Sequence, residues 1–146
     1  MECRVIIKNL RINQLTPDAF AWYLRVLDAV DARDILTYAS CLSENTSAQV
    51  NNIGPVTGRQ NVVDALTPVW LGFGGLEHDL RVILGNDTSF AVEAVNRYTL
   101  WDGTQVFVNA TAFYDRDAGG LVKAVRMYGD MSKVTAGAPP HPATAS

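Results

Sequence analysis

The sequence predicts an α+β fold in which three helices precede most of an antiparallel sheet. Apolar residues recur at helical spacing between residues 16 and 70, and from residue 78 onward apolar residues favour every second position. An Asp-Gly pair at residues 102 and 103, between two long alternating segments, is a strong hairpin signal. Helices segregated from an antiparallel sheet form an α+β domain. A strongly curved sheet with the helices across its concave side encloses one pocket.

The first helix begins at Thr16-Pro17-Asp18. Threonine is a preferred N-cap, proline is favoured at the first helical position, and an aspartate there is stabilised by the positive end of the helix dipole. Apolar side chains then follow at helical spacing: Phe20, Tyr23, Leu24, Leu27 and Val30. The pattern predicts an amphipathic helix.

Two further helices and one strand complete the first half of the chain. We expect a short helix from about residue 32 to residue 40, a short strand over residues 47–52, and a turn over "IGPVTG" at residues 53–58. A third helix runs roughly from Gly58 to Trp70, and Pro68 lies near its end.

Four strands follow, over residues 78–85, 89–101, 104–115 and 121–131. Strict alternation on the first of them places four side chains on one face: His78, Leu80, Val82 and Leu84. On the second strand the sequence leaves the inner face open. Composition favours the face that carries Asn96 and Tyr98, whereas the opposite face carries Arg97.

Length and composition indicate one domain with a tail. We place the domain at residues 1–134 and the tail, rich in Ala, Pro and Thr, at residues 135–146. The formal net charge is -3 and no Lys/Arg cluster occurs, which argues against nucleic acid as a partner. No apolar run approaches the roughly 20 residues of a membrane span, so no membrane partner is expected.

The positions of the cysteines and glycines indicate which cofactor and metal sites to expect. Cys3 and Cys41 form neither a metal-binding motif nor a disulfide framework, which predicts a reducing, cytoplasmic setting. The charged N-terminal segment does not have the pattern of a signal peptide. No Gly-rich phosphate loop or Cys/His cluster calls for a cofactor or a metal ion, and none is expected.

The closing strand, "LVKAVRMYGDM", carries the first candidate site. Alternation places Arg126, Tyr128 and Asp130 on one face, after the apolar Val122 and Ala124. We expect this face to be the inner wall of the pocket. Asp130 is then a general acid or base, Arg126 holds it ionised or stabilises an oxyanion, and Tyr128 donates to a substrate carbonyl. The structural alternatives are a turn-capping Asp130, a salt bridge of Arg126 and an ordinary buried Tyr128.

Other candidates come from neighbouring strands. His78 heads an apolar strand face and is a candidate proton shuttle, with a structural histidine as the alternative. On residues 104–115, the face chosen to line the pocket consists of Phe107, Asn109, Thr111 and Phe113.

Several segments together resemble the SnoaL-like proteins of the nuclear transport factor 2 superfamily. The resemblance covers roughly residues 16–132 and is carried by "FAWYLRVLDAVDARDI", the Gly58-Arg59 pair, "FGGLEHDL", the "DG" hairpin and "VRMYGDM". It implies a cone-shaped α+β barrel with a deep apolar pocket, which is dimeric through the sheet. The family includes polyketide cyclases, ketosteroid isomerase, scytalone dehydratase, limonene epoxide hydrolase and fungal natural-product isomerases, and other members only bind ligands or proteins.

The resemblance also bears on single residues. Asp130 matches the last-strand Asp of the limonene epoxide hydrolase pattern, and Arg97-Tyr98-Thr99 is similar to its Arg-x-Asp, with Thr99 in place of the second acid. An alternative alignment puts Ala94 and Asn96 there. In both alignments one carboxylate of the two-acid mechanism is missing. The closest similarity is to the natural-product isomerases and cyclases, whose polar pocket residues vary.

The resemblance adds one further candidate pair on the early strand. Gln49 and Asn51 lie about where the epoxide hydrolases hold a water with polar side chains, which implies a contact of Asn51 with a ligand or a water. Ordinary strand-end hydrogen bonding is the alternative.

These observations predict a cofactor-free isomerase or cyclase of secondary metabolism, acting on a largely apolar polycyclic intermediate by acid–base chemistry. The alternatives are an epoxide hydrolase or dehydratase, and a non-catalytic ligand-binding or dimerisation module. The apolar-rich strands between residues 89 and 130 are expected to leave one sheet face uncovered by helices. A homodimer through that face is expected, with Val125 and Met127 as candidate contacts.

Overall fold

The structure is a computed structural model, and it describes residues 5–137 of the 146-residue chain. Within that range it contains seven strands and four helices. In chain order they are β1 (Ile12–Asn13), α1 (Pro17–Asp31), α2 (Ile35–Ser40), β2 (Leu42–Val50), β3 (Ile53–Thr57), α3 (Arg59–Trp70), β4 (Gly75–Gly85), β5 (Ser89–Thr99), β6 (Gln105–Arg116), β7 (Val122–Gly129) and α4 (Ser132–Gly137). The predicted α+β class is confirmed.

All seven strands belong to one curved, unclosed sheet in the order β1-β4-β5-β6-β7-β2-β3. Neighbouring strands are antiparallel, apart from the parallel pairs β1/β4 and β2/β7. The sheet is therefore mostly antiparallel, as the sequence predicts. Its concave face is covered by helices, and the main core lies between the two layers. No helix within residues 5–137 combines the length and the hydropathy needed to cross a lipid bilayer.

Helix α1 begins where the sequence predicts. The Thr16 side chain accepts a hydrogen bond from the backbone N–H of Ala19 at 3.3 Å, and Pro17 occupies the first helical position. The inward face of the helix buries Tyr23, Val26 and Leu27 almost completely. Burial of three such side chains stabilises the docked helix by about 1.5–3 kcal/mol each.

A β-bulge in β4 changes which side chains face the core. Leu80 pairs with Ala94 and Val82 pairs with Glu93, so Arg81 is an extra residue on β4. Because side chains alternate strictly along a strand, one extra residue reverses the faces beyond it. Ile83 is consequently fully buried and Leu84 is 46% exposed. The predicted face that combined Leu80 with Val82 and Leu84 is wrong for this reason.

A second bulge has the same effect in β7. Arg116 pairs with Val122 and Asp115 pairs with Ala124, so Lys123 is the extra residue. Val122 is fully buried before the bulge, and Val125 and Met127 face inward after it. The odd-numbered residues of β7 therefore form its inner face beyond Lys123.

Several boundaries differ from the sequence prediction. Strand β2 begins at Leu42, earlier than the predicted strand over residues 47–52, and α2 begins at Ile35 with Asp34 as its N-cap. Residues 53–57 form β3 where we predicted a turn, because they pair with β2. Helix α4 was not predicted, and it buries Val134. The boundary at residue 134 thus falls within α4, and residues 138–146 of the predicted tail lie outside the described residues.

Candidate active site

One cavity lies between the helices and the concave face of the sheet. Its volume is about 170 Å³ and its walls are mostly apolar. The polar groups in its lining come from Tyr23, Tyr38, Gln49, His78, Asn96, Tyr98 and Tyr114. An apolar cavity with a few converging polar groups is the usual form of a small-molecule site.

The main ionisable pair at this cavity consists of His78 and Asp31. His78 Nδ1 lies 2.5 Å from Asp31 Oδ1, and the backbone N–H of His78 donates to Asp31 Oδ2 at 3.0 Å. The Asp31 side chain is fully buried, whereas the His78 side chain is 13% exposed. A buried carboxylate is tolerated only when it is well hydrogen-bonded, and here one histidine supplies two donors.

Asp31 occupies this position because it ends α1 on the core face. It lies four residues after Leu27 and eight after Tyr23, which places all three on one side of the helix. The Arg33 guanidinium donates to the backbone carbonyl of Asp31 at 2.9 Å and to the carbonyl of Gly74 at 3.0 Å. These bonds fix the end of α1 against the start of β4.

Asp31 was not among the site residues predicted from the sequence. The available signal was an acidic residue in phase with the apolar face of an amphipathic helix. Such a position is unfavourable for a carboxylate unless it has a buried partner. The partner, His78, was identified independently as a candidate proton shuttle, and the structure places it in the cavity lining.

The geometry defines the roles of the two imidazole nitrogens. An ionised carboxylate only accepts hydrogen bonds, so Nδ1 carries the hydrogen that points to Asp31 and Nε2 has the lone pair. The Asp31 carboxylate also stabilises the imidazolium that forms when Nε2 takes up a proton. In this tautomer His78 Nε2 can accept a proton, as a general base does, and Asp31 orients the ring.

The inner face of β5 adds two polar groups. Asn96 lies directly opposite His78 in the β4–β5 register, and Tyr98 is the next inward residue along β5. Burial raises the pKa of Tyr98 to about 12, and a hydrogen bond from Asn96 acts in the opposite direction. The Tyr98 hydroxyl therefore keeps its proton at neutral pH and can donate to a ligand oxygen.

The sequence left undecided which face of β5 points inward. The face with Asn96 and Tyr98 is the inner one, since it is buried and lines the cavity. Arg97 lies on the opposite face, where it pairs with Glu77 and both side chains are more than one-third exposed. The alignment that placed Arg97 at a ligand does not match this geometry.

Arg126 and Tyr128 on β7, and Asp130 just after it, do not line the cavity, so their predicted placement on its inner wall is wrong. The bulge at Lys123 turns Arg126 and Tyr128 to the outer face. Arg126 lies over the Phe113 ring at 5.2 Å and 3.8 Å from the Asp115 carboxylate. Tyr128 is 39% exposed and contacts the edge of the same ring.

Asp130 has a structural role instead. Its Oδ1 accepts a hydrogen bond from the backbone N–H of Ser132 at 3.0 Å, at the start of α4. Hydrogen bonds from the Ser132 side chain and backbone hold the pKa of Asp130 below its ordinary value. A fully exposed carboxylate with a lowered pKa is suited to cap a turn, which is the alternative that we gave for it.

The face chosen on β6 is also the outer one. Phe107 is 64% exposed and Phe113 is 38% exposed, and Asn109 and Thr111 share their face. The cavity is lined instead by the opposite face of β6: Ala110, Ala112 and Tyr114. The small side chains of the two alanines leave space for a ligand there, whereas the rings of Phe107 and Phe113 lie on the exposed side of the sheet.

Asn51 has a backbone role and does not line the cavity. Its side chain exchanges two hydrogen bonds with the backbone of Gly129, at 2.8 and 3.0 Å. It thereby fastens the β2–β3 turn to the end of β7. Gln49 lines the cavity and donates to the Asn51 carbonyl at 2.8 Å.

No metal centre is formed by the part of the chain that the structure describes. Residues 5–137 contain no group of three His, Cys, Asp or Glu side chains that could hold a metal ion. The side chains at the cavity that can donate or accept a proton or a hydrogen bond include His78, with the Asp31 carboxylate behind it, and the hydroxyl and amide groups.

Comparison with solved structures relates this fold to known proteins. A protein described as a SnoaL-like polyketide cyclase, from Shewanella putrefaciens, aligns with a TM-score of 0.72 and 11% identity, covering 83% of this chain and 85% of that chain. One from a Jannaschia species gives 0.69 and 17%, covering 86% and 97%. A limonene-epoxide-hydrolase-like epoxide hydrolase from Mycobacterium tuberculosis gives 0.67 and 17%, covering 84% and 90%.

Sequence comparison defines the family. The search of curated proteins finds no significant match. The model of the SnoaL-like domain matches residues 23–125, which is well over half of the chain and includes His78, Asn96 and Asp31. The predicted resemblance is confirmed, and the chain belongs to the SnoaL-like domain family.

Proposed function

We propose that the protein is a cofactor-independent isomerase or cyclase that moves a proton within an apolar, ring-containing intermediate of secondary metabolism, such as a polyketide, terpenoid or alkaloid precursor. The observation that carries the proposal is the His78–Asp31 pair at an apolar cavity. Structural neighbours described as SnoaL-like polyketide cyclases support it at the level of the family.

In the proposed reaction His78 and Tyr98 have separate roles. His78 Nε2 removes a proton from a carbon next to a substrate carbonyl, and the electron pair moves onto the carbonyl oxygen. Tyr98 donates a hydrogen bond to that oxygen, which stabilises the enolate. Return of the proton to a different carbon shifts a double bond, and attack of the enolate carbon on a second carbonyl closes a ring.

The surroundings strengthen these interactions. Most of the cavity wall is aliphatic or aromatic, so little water screens the charge that forms on the enolate and on His78. Asp31 compensates the imidazolium from the side away from the cavity. General acid–base catalysis of this kind contributes about 10²–10⁴-fold to a rate.

The alternative functions are less well supported. The Mycobacterium tuberculosis neighbour is described as an epoxide hydrolase, but two-acid epoxide opening needs carboxylates at the ligand. Within the described residues no carboxylate lines the cavity, because Asp31 is fully buried behind His78. A non-catalytic binding module does not require a histidine–carboxylate pair at its cavity.

The test uses a substrate of general reactivity, 3-cyclohexen-1-one. Its conversion to 2-cyclohexen-1-one needs removal of one proton and its return two carbons away, and the product is followed by ultraviolet absorbance. We expect catalysis by the wild type, a loss of about 10²–10⁴-fold in His78→Gln, and wild-type activity in Asp130→Asn. Equal activity of wild type and His78→Gln contradicts the proposal, as does a wild type that gives no rate above buffer.

We also propose that the chain forms a homodimer through the outer face of the sheet. Val125 and Met127, which we predicted for this contact, line the cavity instead. The outer face exposes other large side chains on β6 and β7: Phe107, Phe113 and Tyr128. An exposed cluster of aromatic residues on one sheet face is typical of an interface.

A further inference from the structure

Asn96 carries a buried acceptor without a partner. The residue is 4% exposed and lines the cavity, and within the described part of the chain its Oδ1 has no hydrogen-bond partner. Buried polar atoms in native proteins are nearly always hydrogen-bonded, because leaving one unsatisfied costs the full desolvation of that atom. A donor on a molecule bound in the cavity would satisfy this Oδ1.

Asn96 and Tyr98 lie two residues apart on the inner face of β5, and both line the cavity. A hydrogen bond with Asn96 lowers the pKa of Tyr98 against the effect of burial. A hydrogen bond that lowers the pKa of a phenol is donated to the phenol oxygen, so the amide NH₂ of Asn96 points to Tyr98. The carbonyl oxygen is the end of the amide left for the ligand.

The size of the cavity limits the ligand. The volume of about 170 Å³ is close to that of an apolar protein cavity, about 150 Å³, that binds benzene. It accommodates one six-membered ring with small substituents. This is smaller than the polycyclic substrate that the sequence analysis predicts.

We infer that the ligand is a single-ring, largely apolar molecule whose hydroxyl group donates a hydrogen bond to Asn96 Oδ1. Asn96 and His78 lie directly opposite each other on β5 and β4. The hydroxyl therefore lies close to the atom whose proton His78 removes. The inference rests on the proposed function only in taking the His78 cavity as the substrate site.

The test measures binding without turnover. Phenol, anisole and toluene have one ring each and similar volume, but only phenol has an O–H donor. Isothermal titration calorimetry is expected to give a Kd for phenol about tenfold lower than for anisole or toluene. A purely apolar cavity gives the opposite order, since toluene is the more hydrophobic ligand. A Kd for toluene or anisole equal to or below that for phenol overturns the inference.

A matched variant isolates the acceptor. Asn96→Leu keeps the approximate volume and removes Oδ1, so the preference for phenol over toluene should reverse. An unchanged preference in a folded variant assigns the hydroxyl to another group and overturns the role of Asn96. If the variant does not fold, the three wild-type titrations still decide whether the ligand needs a donor.

Two further measurements test the limit on the number of rings and the link between binding and catalysis. Anthracen-2-ol has the same donor on three rings, and it is expected to bind at least tenfold more weakly than phenol; tighter binding overturns the size limit. His78→Gln should keep the preference for phenol while losing isomerase activity. A wild type that prefers phenol but does not isomerise 3-cyclohexen-1-one refutes the proposed function alone, and active enzyme without the preference refutes this inference alone.

Discussion

Replacement of Asp31 by asparagine tests the histidine–carboxylate pair while preserving its shape. The carboxylate accepts two hydrogen bonds from His78, one from the backbone N–H at 3.0 Å and one from Nδ1 at 2.5 Å. An asparagine offers one acceptor oxygen and one NH₂ donor. The backbone N–H cannot change its role, whereas the imidazole can move its hydrogen to Nε2. We therefore expect the amide oxygen to keep the backbone N–H and the NH₂ to face Nδ1.

The magnitude follows from this exchange of bonds. The variant loses a hydrogen bond to a charged group, worth about 1.5–3 kcal/mol, and gains a neutral one, worth about 1 kcal/mol. The free energy of unfolding should fall by about 0.5–2 kcal/mol, which leaves the protein folded. The rate with 3-cyclohexen-1-one should fall by about 10²–10⁴-fold, because Nε2 then carries a hydrogen and cannot act as a base.

Nitrogen-15 NMR detects the change directly, at a pH where the ring is neutral. The chain has two histidines, and His141→Gln leaves only the His78 resonances. We expect the hydrogen on Nδ1 in this background and on Nε2 after addition of Asp31→Asn, with urea unfolding giving the stability of both. The same tautomer in both proteins would refute the role given to Asp31, even if the rate fell.

Two further predictions address the sheet. Ile83→Ala should lower the free energy of unfolding by about 2–5 kcal/mol, and Leu84→Ala by less than about 1 kcal/mol, because Ile83 is fully buried and Leu84 is 46% exposed. Urea unfolding of the two variants decides the register of β4, and the reverse order would place the bulge elsewhere. Phe107→Asp should convert the proposed homodimer into a folded monomer, measured by light scattering at micromolar concentration, with Asn109→Asp as a control on the same face. A wild type that is already monomeric at that concentration contradicts the dimer.

The features predicted best from the sequence are those decided by local signals. Helix α1 begins at Pro17 as predicted, because an N-cap threonine followed by proline acts through neighbouring residues alone. The Asp102-Gly103 hairpin and the four long strands were also predicted from signals in neighbouring residues. The family resemblance rests on the order of these elements, so it could also be recognised from the sequence.

The inner faces of β4 and β7 could not be predicted from such local signals. The extra residues at Arg81 and Lys123 are defined by pairing with neighbouring strands, and period-two counting has no means of detecting them. The misplacement of Arg126 and Asp130 follows from the bulge at Lys123. The face of β6 was misjudged for a different reason, since aromatic rings suit a ligand pocket and an interface equally well by composition.

The bulge at Lys123 also has an evolutionary consequence. If the strand were regular with Lys123 retained, Arg126 and Tyr128 would turn toward the cavity while Val125 and Met127 turned away. Deletion of Lys123 instead gives a regular strand in which Val125 lies two positions after Val122, so both side chains and Met127 stay on the cavity side. Relatives with and without the extra residue therefore present corresponding side chains to the cavity, and they must be aligned by strand pairing before their site residues are compared.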